Sequence, residues 1–143
     1  MVHALTEVHR VLTPGGRAAD LRPDRRLDGG RRRRDVLAKL FYHTSHGEVP
    51  LGVLQEGSFV DDEAADRAVR WAVRRGLFRL ESTETFAFRY SFRDLAVLDE
   101  YLGGRETAHL DGATRRRLQR LTRRQPGQIL SVEILRLNVL RKV

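Results

Sequence analysis

The chain contains no cysteine. Disulfides, thiolate metal sites and a cysteine nucleophile are therefore excluded. Lysine is nearly absent too: only Lys39 and Lys142 occur, and arginine supplies the rest of the 27 basic residues. Aromatics make up 7% of the chain, and tryptophan occurs once, at Trp71. No apolar run is long enough to span a bilayer, and the N-terminus lacks a secretion-signal pattern. These absences make a cytoplasmic globular protein the expectation, with no membrane partner. The 143 residues suit a single domain, 1–143, and 41% hydrophobic against 32% charged residues is a folded composition.

The formal net charge is +8, from 27 basic and 19 acidic residues. A protein that grips phosphate uses arginine forks, but ordinarily keeps lysine beside them. So lopsided a ratio fits a GC-rich coding sequence better than selection for nucleic acid. A small basic nucleic-acid-binding or adaptor protein is the alternative.

Ala4, Leu5, Val8, Val11 and Leu12 recur at helical spacing and predict an amphipathic helix over 2–13. Pro14 stops it, and Gly15-Gly16 let the chain turn into a short strand at 17–22. Residues 24–56 read as a charged loop followed by a β-hairpin insertion, its arms at 36–42 and 49–54 around a polar turn. The first arm could instead be a helical turn. Pro50 puts the second arm at an edge or starts it late.

A helix is expected at 62–75, capped by Asp61 or Asp62, with Ala65, Ala68, Val69 and Ala72 inward and Gly76 at its end. A strand follows from Leu77, with a bulge or break at Ser82-Thr83-Glu84. Phe86, Phe88, Tyr90 and Phe92 alternate with small or charged residues, which predicts one buried and one wet face. Asp94 caps a helix through Leu102, and Asp111 caps another at 112–123 with a wet Arg115-Arg116-Arg117 run. In the last strand the apolar positions are Leu130, Val132 and Ile134, then Leu135, Leu137 and Val139. That change of parity predicts a β-bulge near Ile134-Leu135, or else a strand buried on both faces.

The opening stretch carries a resemblance. Glu7, Arg10-Val11-Leu12 and Thr13-Pro14-Gly15-Gly16 nearly match an E-x-x-R-V-L-K-P-G-G sequence, with Thr13 where lysine is frequent. That sequence commonly ends the helix before the fifth strand of class I S-adenosylmethionine-dependent methyltransferases. Ala72 to Phe78 resembles the family's join into the sixth strand. The final strand is similar to the seventh, which inserts antiparallel between fifth and sixth. The resemblance covers most of the chain outside 24–56, and only the C-terminal half of the fold, of the type 11-like kind. It implies an α/β fold: a partial Rossmann-like methyltransferase sheet, fifth to seventh strands, with an inserted β-hairpin and flanking helices.

The family holds its methyl donor on a glycine-rich loop after the first strand, beside the switch in strand order. No G-x-G occurs in this chain, and the first four strands have no counterpart before Ala4. No donor-binding residue can be carried over. The expectation is a truncated or split enzyme without catalysis of its own. It binds no cofactor alone, and S-adenosylmethionine only when the missing half is supplied. The edge of 17–22 is left to pair with a second copy, with a separate N-terminal-half subunit, or with the hairpin folded over it.

Asp20, Arg22 and Asp24 lie at the carboxyl end of the predicted fifth strand, the substrate side in a complete enzyme. A solvated strand end explains them as well. Arg31, Arg32, Arg33 and Arg34 could grip phosphate, or simply form a wet loop. His43 and His46 form an H-x-x-H in a turn, too few ligands for a metal site. Asp61, Asp62 and Glu63 could hold a cation, yet a helix start accounts for them. Trp71, flanked by arginines, could stack on a base or pack half-buried.

Overall fold

The computed structural model describes residues 1–24, 36–57, 60–105 and 107–143, so Arg31 to Arg34 lie outside the described residues. The chain is mixed α/β. Its elements are α1 (Val2–Val11), β1 (Arg17–Pro23), β2 (Val36–Thr44), β3 (Gly47–Glu56), α2 (Val60–Arg74), β4 (Phe78–Phe92), α3 (Leu95–Gly103), β5 (Ala108–Leu110), α4 (Gly112–Arg124) and β6 (Gln128–Lys142). The strands form an open six-stranded sheet in the order β1-β6-β2-β3-β5, with β4 also on β6. Leu77 with Val143, Thr83 with Asn138 and Ser91 with Gln128 fix β4 antiparallel to β6. The β1–β6, β2–β3, β2–β6 and β3–β5 ladders are antiparallel as well. Two compact units make up the chain.

The first unit contains Met1–Asp24, Phe59–Phe86 and Leu135–Val143. Its helix α1 ends ahead of Pro14, as the sequence requires. Gly15 then takes φ +74°, a left-handed conformation that side chains resist, and Gly16 N–H donates to the Thr13 carbonyl at 2.9 Å. The end of β6 latches this turn. Lys142 N–H donates to Gly16 O at 2.8 Å, and its Nζ reaches Leu12 O at the helix end, also at 2.8 Å.

The expected stripe of α2, Ala65, Ala68, Val69 and Ala72, is buried. Ala68, Val69 and Ala72 pack with Leu5, Phe78 and Leu140 into one core. Fully burying Phe78 or Leu140 contributes about 1.5–3 kcal/mol each. Ala18 faces this core from β1, whereas Arg17, Ala19 and Leu21 point to water, Leu21 being 54% exposed. Among the described residues β1 pairs with β6 alone, so its other edge is open. Among the described residues the hairpin pairs with β6, at 128–132, and not with β1.

The second unit contains Arg25–Ser58 and Ala87–Ile134. The hairpin forms as expected, with Thr44 opposite Gly47 and a two-residue loop between them. Leu40 faces Gly52 and Phe41 faces Pro50, so Leu51 is the extra residue of a bulge. Pro50 lies outside the stretch of β3 that pairs β5, where no donor is needed. Tyr42 is buried, and its hydroxyl donates to Gln125 O at 2.9 Å. Helices α3 and α4 start on their expected caps. Asp94 accepts from Val97 N–H at 3.0 Å, and Asp111 from Ala113 and Thr114 N–H at 2.8 Å each. Leu98 and Leu118 are fully buried.

Three expectations change. Helix α2 begins at Val60, so Asp61 and Asp62 are first-turn residues and not its cap, although they still complement the dipole. In β4, only Phe92 of the aromatic row is buried; Phe86 and Phe88 are 41% and 40% exposed. Tyr101 of α3 meets Tyr90 and Phe92 at ring distances of 6.1 and 5.1 Å, so that helix shelters only the end of the row. Alternation says which side chains share a face, not whether anything covers it. In β6 the most buried residues are Ile129, Ser131 and Glu133, then Asn138 and Leu140, the opposite parity to that expected. The change of phase falls where β6 passes from β2, paired at 128–132, to β1, paired at 135–141, with no shift inside either ladder. Only Gln128 of the strand is exposed, which makes β6 a strand covered on both faces.

Two predictions come from the α4 contacts. Gly52 has φ +156°, and an added methyl would collide with the Thr114 side chain. Gly52→Ala should cost about 2 kcal/mol or more in urea unfolding; a loss under about 0.5 kcal/mol would contradict this packing. Backbone hydrogen bonds from Thr114, then its hydroxyl, hold the Asp111 carboxyl below its ordinary pKa. A depressed folded pKa stabilises above the unfolded value and loses that stability as pH falls. Asp111→Ala should therefore cost about 1 kcal/mol at neutral pH, and the difference from wild type should shrink below roughly pH 4.

Candidate functional site

The carboxyl end of β1 is where the sequence places a substrate side, and there the first unit gathers its half-buried charges. Asp20 and Arg22 lie on the face of β1 that α2 covers, opposite Asn138 and Arg136 of β6. Arg22 forks onto Asp20, Nε to Oδ1 at 2.7 Å and Nη2 to Oδ2 at 2.6 Å. Its Nη1 turns to α2, reaching the Asp62 carbonyl at 3.2 Å and Asp66 Oδ1 at 3.1 Å. Arg136 bonds the same Asp66 oxygen. Asn138 donates to Asp20 Oδ2 at 2.8 Å and accepts from Thr83 Oγ1 at 3.0 Å. The four charged side chains are only 10–19% exposed.

Burial works against the Arg22 charge, but the Asp20 hydrogen bonds and the Asp20, Asp66 and Asp62 charges outweigh it, so its pKa is raised. Two carboxylates face two guanidiniums, and each carboxylate already accepts from two partners. The arrangement ties α2 to β1 and β6. Asp24 is buried at the strand's end. A solvated strand end describes none of the three.

The remaining candidates stay apart. His43 stands 3.8 Å from Glu48, while His46 N–H bonds Thr44 Oγ1 at 3.1 Å. Among the described residues no group of three metal-ligating side chains assembles. Trp71 packs half-buried against the core, with Arg75 5.8 Å from its ring centroid. Among the described residues no helix is long and apolar enough to cross a membrane.

A scan against protein-family models finds no match, and searches of curated proteins and solved structures find none either. The methyltransferase resemblance thus rests on the residues themselves.

Sequence reasoning missed Asp66, Arg136 and Asn138, although two polar residues inside Leu135-Arg136-Leu137-Asn138-Val139 are a visible signal. It also missed two buried carboxyl residues of the second unit, Glu56 and Glu133, 8% and 4% exposed. Thr107 Oγ1 donates to Glu56. Burial pushes the nearby Tyr101 phenol up; the Arg105 charge opposes this, and Glu133, Tyr90 and Glu56 add to it. Arg105 lies 4.8 Å from the Tyr101 ring centroid.

Asp66 is the common anion of Arg22 and Arg136, so its loss takes the ion-pair partner from Arg136 and leaves Arg22 to Asp20. Asp66→Ala should lower unfolding stability by about 2–4 kcal/mol, and Asp66→Leu with Arg136→Met should recover part of it. Denaturation curves that superimpose on wild type would remove the network from the fold's support.

Proposed function

We propose that residues 1–143 carry the C-terminal half of a methyltransferase-like fold and have no catalysis of their own. One observation supports this most. In the first unit β6 runs antiparallel between β1 and β4, pairing β1 along 135–141 and bonding β4 through Thr83–Asn138 and Leu77–Val143. β1 and β4 are therefore parallel to each other. An antiparallel strand between two parallel ones is what the resemblance implies for its seventh strand, and this supports the reading beside the helix, Pro14-Gly15-Gly16 and strand that first suggested it. The β1 edge that is unpaired among the described residues, with Leu21 exposed on the strand, supports the reading that a further strand adds there.

Donor binding then comes from chain outside these residues, in the same polypeptide or another. The partner is a donor-binding half or, failing that, a second copy on the β1 edge. Residues 1–143 contribute the β1, β6 and β4 part of the sheet.

The test has two parts. Isothermal titration of residues 1–143 with S-adenosylmethionine should give no heat of binding. The reading frame upstream of Met1, or beside the gene, should encode a parallel-strand half with a glycine-rich loop, and joining the halves should restore binding. Micromolar affinity in residues 1–143 alone, or neighbouring DNA with no such half, would defeat the proposal.

A further inference from the structure

Helix α4 has an unusual charge pattern. Gly112–Arg124 contains six arginines and no carboxylate. Arg115 is neutralised by Asp99, with Nη1 and Nη2 at 2.9 and 2.6 Å from its two oxygens. Arg116, Arg117, Arg120, Arg123 and Arg124 are exposed. Among the described residues no carboxylate forms an ion pair with any of these five; Arg116 acts on one only at longer range, helping to hold the Asp111 carboxyl down.

Codon bias raises arginine everywhere, but it does not strip the carboxylates from around it. Helix α2 makes the contrast within the same chain. There Arg67, Arg70 and Arg74 share Val60–Arg74 with Asp61, Asp62, Glu63 and Asp66. Helix α4 has no acidic residue of its own, and three of its arginines stand in line. Arg116, Arg120 and Arg123 lie at i, i+4 and i+7, one stripe of the helix with Cβ atoms of successive members about 5–6 Å apart. With Ala113 and Gln119 they line an open groove of about 360 Å³. Leu118 is buried and Leu121 half-buried, so no row of apolar side chains flanks the stripe for insertion into a bilayer. No aromatic side chain stands on the helix to stack an unpaired base.

We infer that α4 is a docking face for the phosphate backbone of a nucleic-acid duplex, with Arg116, Arg120 and Arg123 as its contact row. Guanidinium forks take phosphate oxygens in pairs, and a regular row of them suits a polymer with regularly repeating phosphates. Such contacts position the partner without reading its sequence. The face belongs to the second unit and does not depend on the methyltransferase proposal.

Fluorescence anisotropy tests it with residues 1–143 and a labelled duplex of about 20 base pairs, as RNA and as DNA, over roughly 50–200 mM salt. Wild type should bind at least one duplex, with log affinity falling linearly against log salt. Either preference supports the face and names the source of the phosphates. Arg116→Gln/Arg120→Gln/Arg123→Gln should weaken binding about tenfold or more and reduce the slope by about 2–3. The corresponding lysine triple should keep most of the slope. Arg67→Gln/Arg70→Gln/Arg74→Gln on α2 removes equal charge and should change affinity less than about threefold. All three variants should keep the wild-type melting curve. No duplex binding at the lowest salt, wild-type binding by the α4 glutamine variant, or an equal loss from the α2 variant would overturn the inference. So would tighter binding to the single strand or to polyglutamate.

Discussion

Strand β6 is the constraint on which the sheet depends. It pairs with β1 along 135–141, with β2 along 128–132, and with β4. These neighbours occupy its edges, and all its residues after Gln128 are at least half-buried, so both faces are covered too. Its apolar residues therefore occupy both parities, as in buried strands of other sheets. Polar residues in such a strand must find partners inside the protein. Asn138 does so through Asp20 and Thr83, and Arg136 bonds Asp66 through its Nη2.

That requirement accounts for the charge network of the first unit. Two aspartates and two arginines, largely removed from solvent, neutralise one another between a helix and two strands. Half-buried pairs of this kind contribute little net free energy but are costly to break singly. They also fix orientation, because an arginine fork accepts only certain approaches of a carboxylate. Residues that resemble a substrate side in the sequence are thus occupied in holding α2. The contrast with α4 is one of compensation. Arginines on α2 share their helix with acids, whereas five on α4 face solvent without an ion-pair partner among the described residues.

Much of the architecture was legible in local pattern. The helices α1, α2, α3 and α4, the hairpin and the long strands β4 and β6 lie within a few residues of their expected positions. Periodicity, Pro14, the glycines and the capping Asp94 and Asp111 act over distances of a few residues, so sequence carries them. Burial was less legible. Phe86 and Phe88 have the alternation of a covered face, yet they stay exposed because α3 meets only Tyr90 and Phe92. The buried parity of β6 depends on its partners and not on its own spacing.

The site divides in the same way. Asp20 and Arg22 could be chosen from their place at a strand end, but their role could not. Asp66 is 44 residues from Arg22 in the chain, and Arg136 is 70 from Asp66. Only the antiparallel register of β1 on β6, with α2 above it, brings them within bonding distance. By itself the sequence determined the elements, their caps and the helix–PGG–strand junction, because these are settled by near neighbours along the backbone. Tertiary structure alone decided which charges are compensated and which are left to solvent, because an ion pair depends on separation in space.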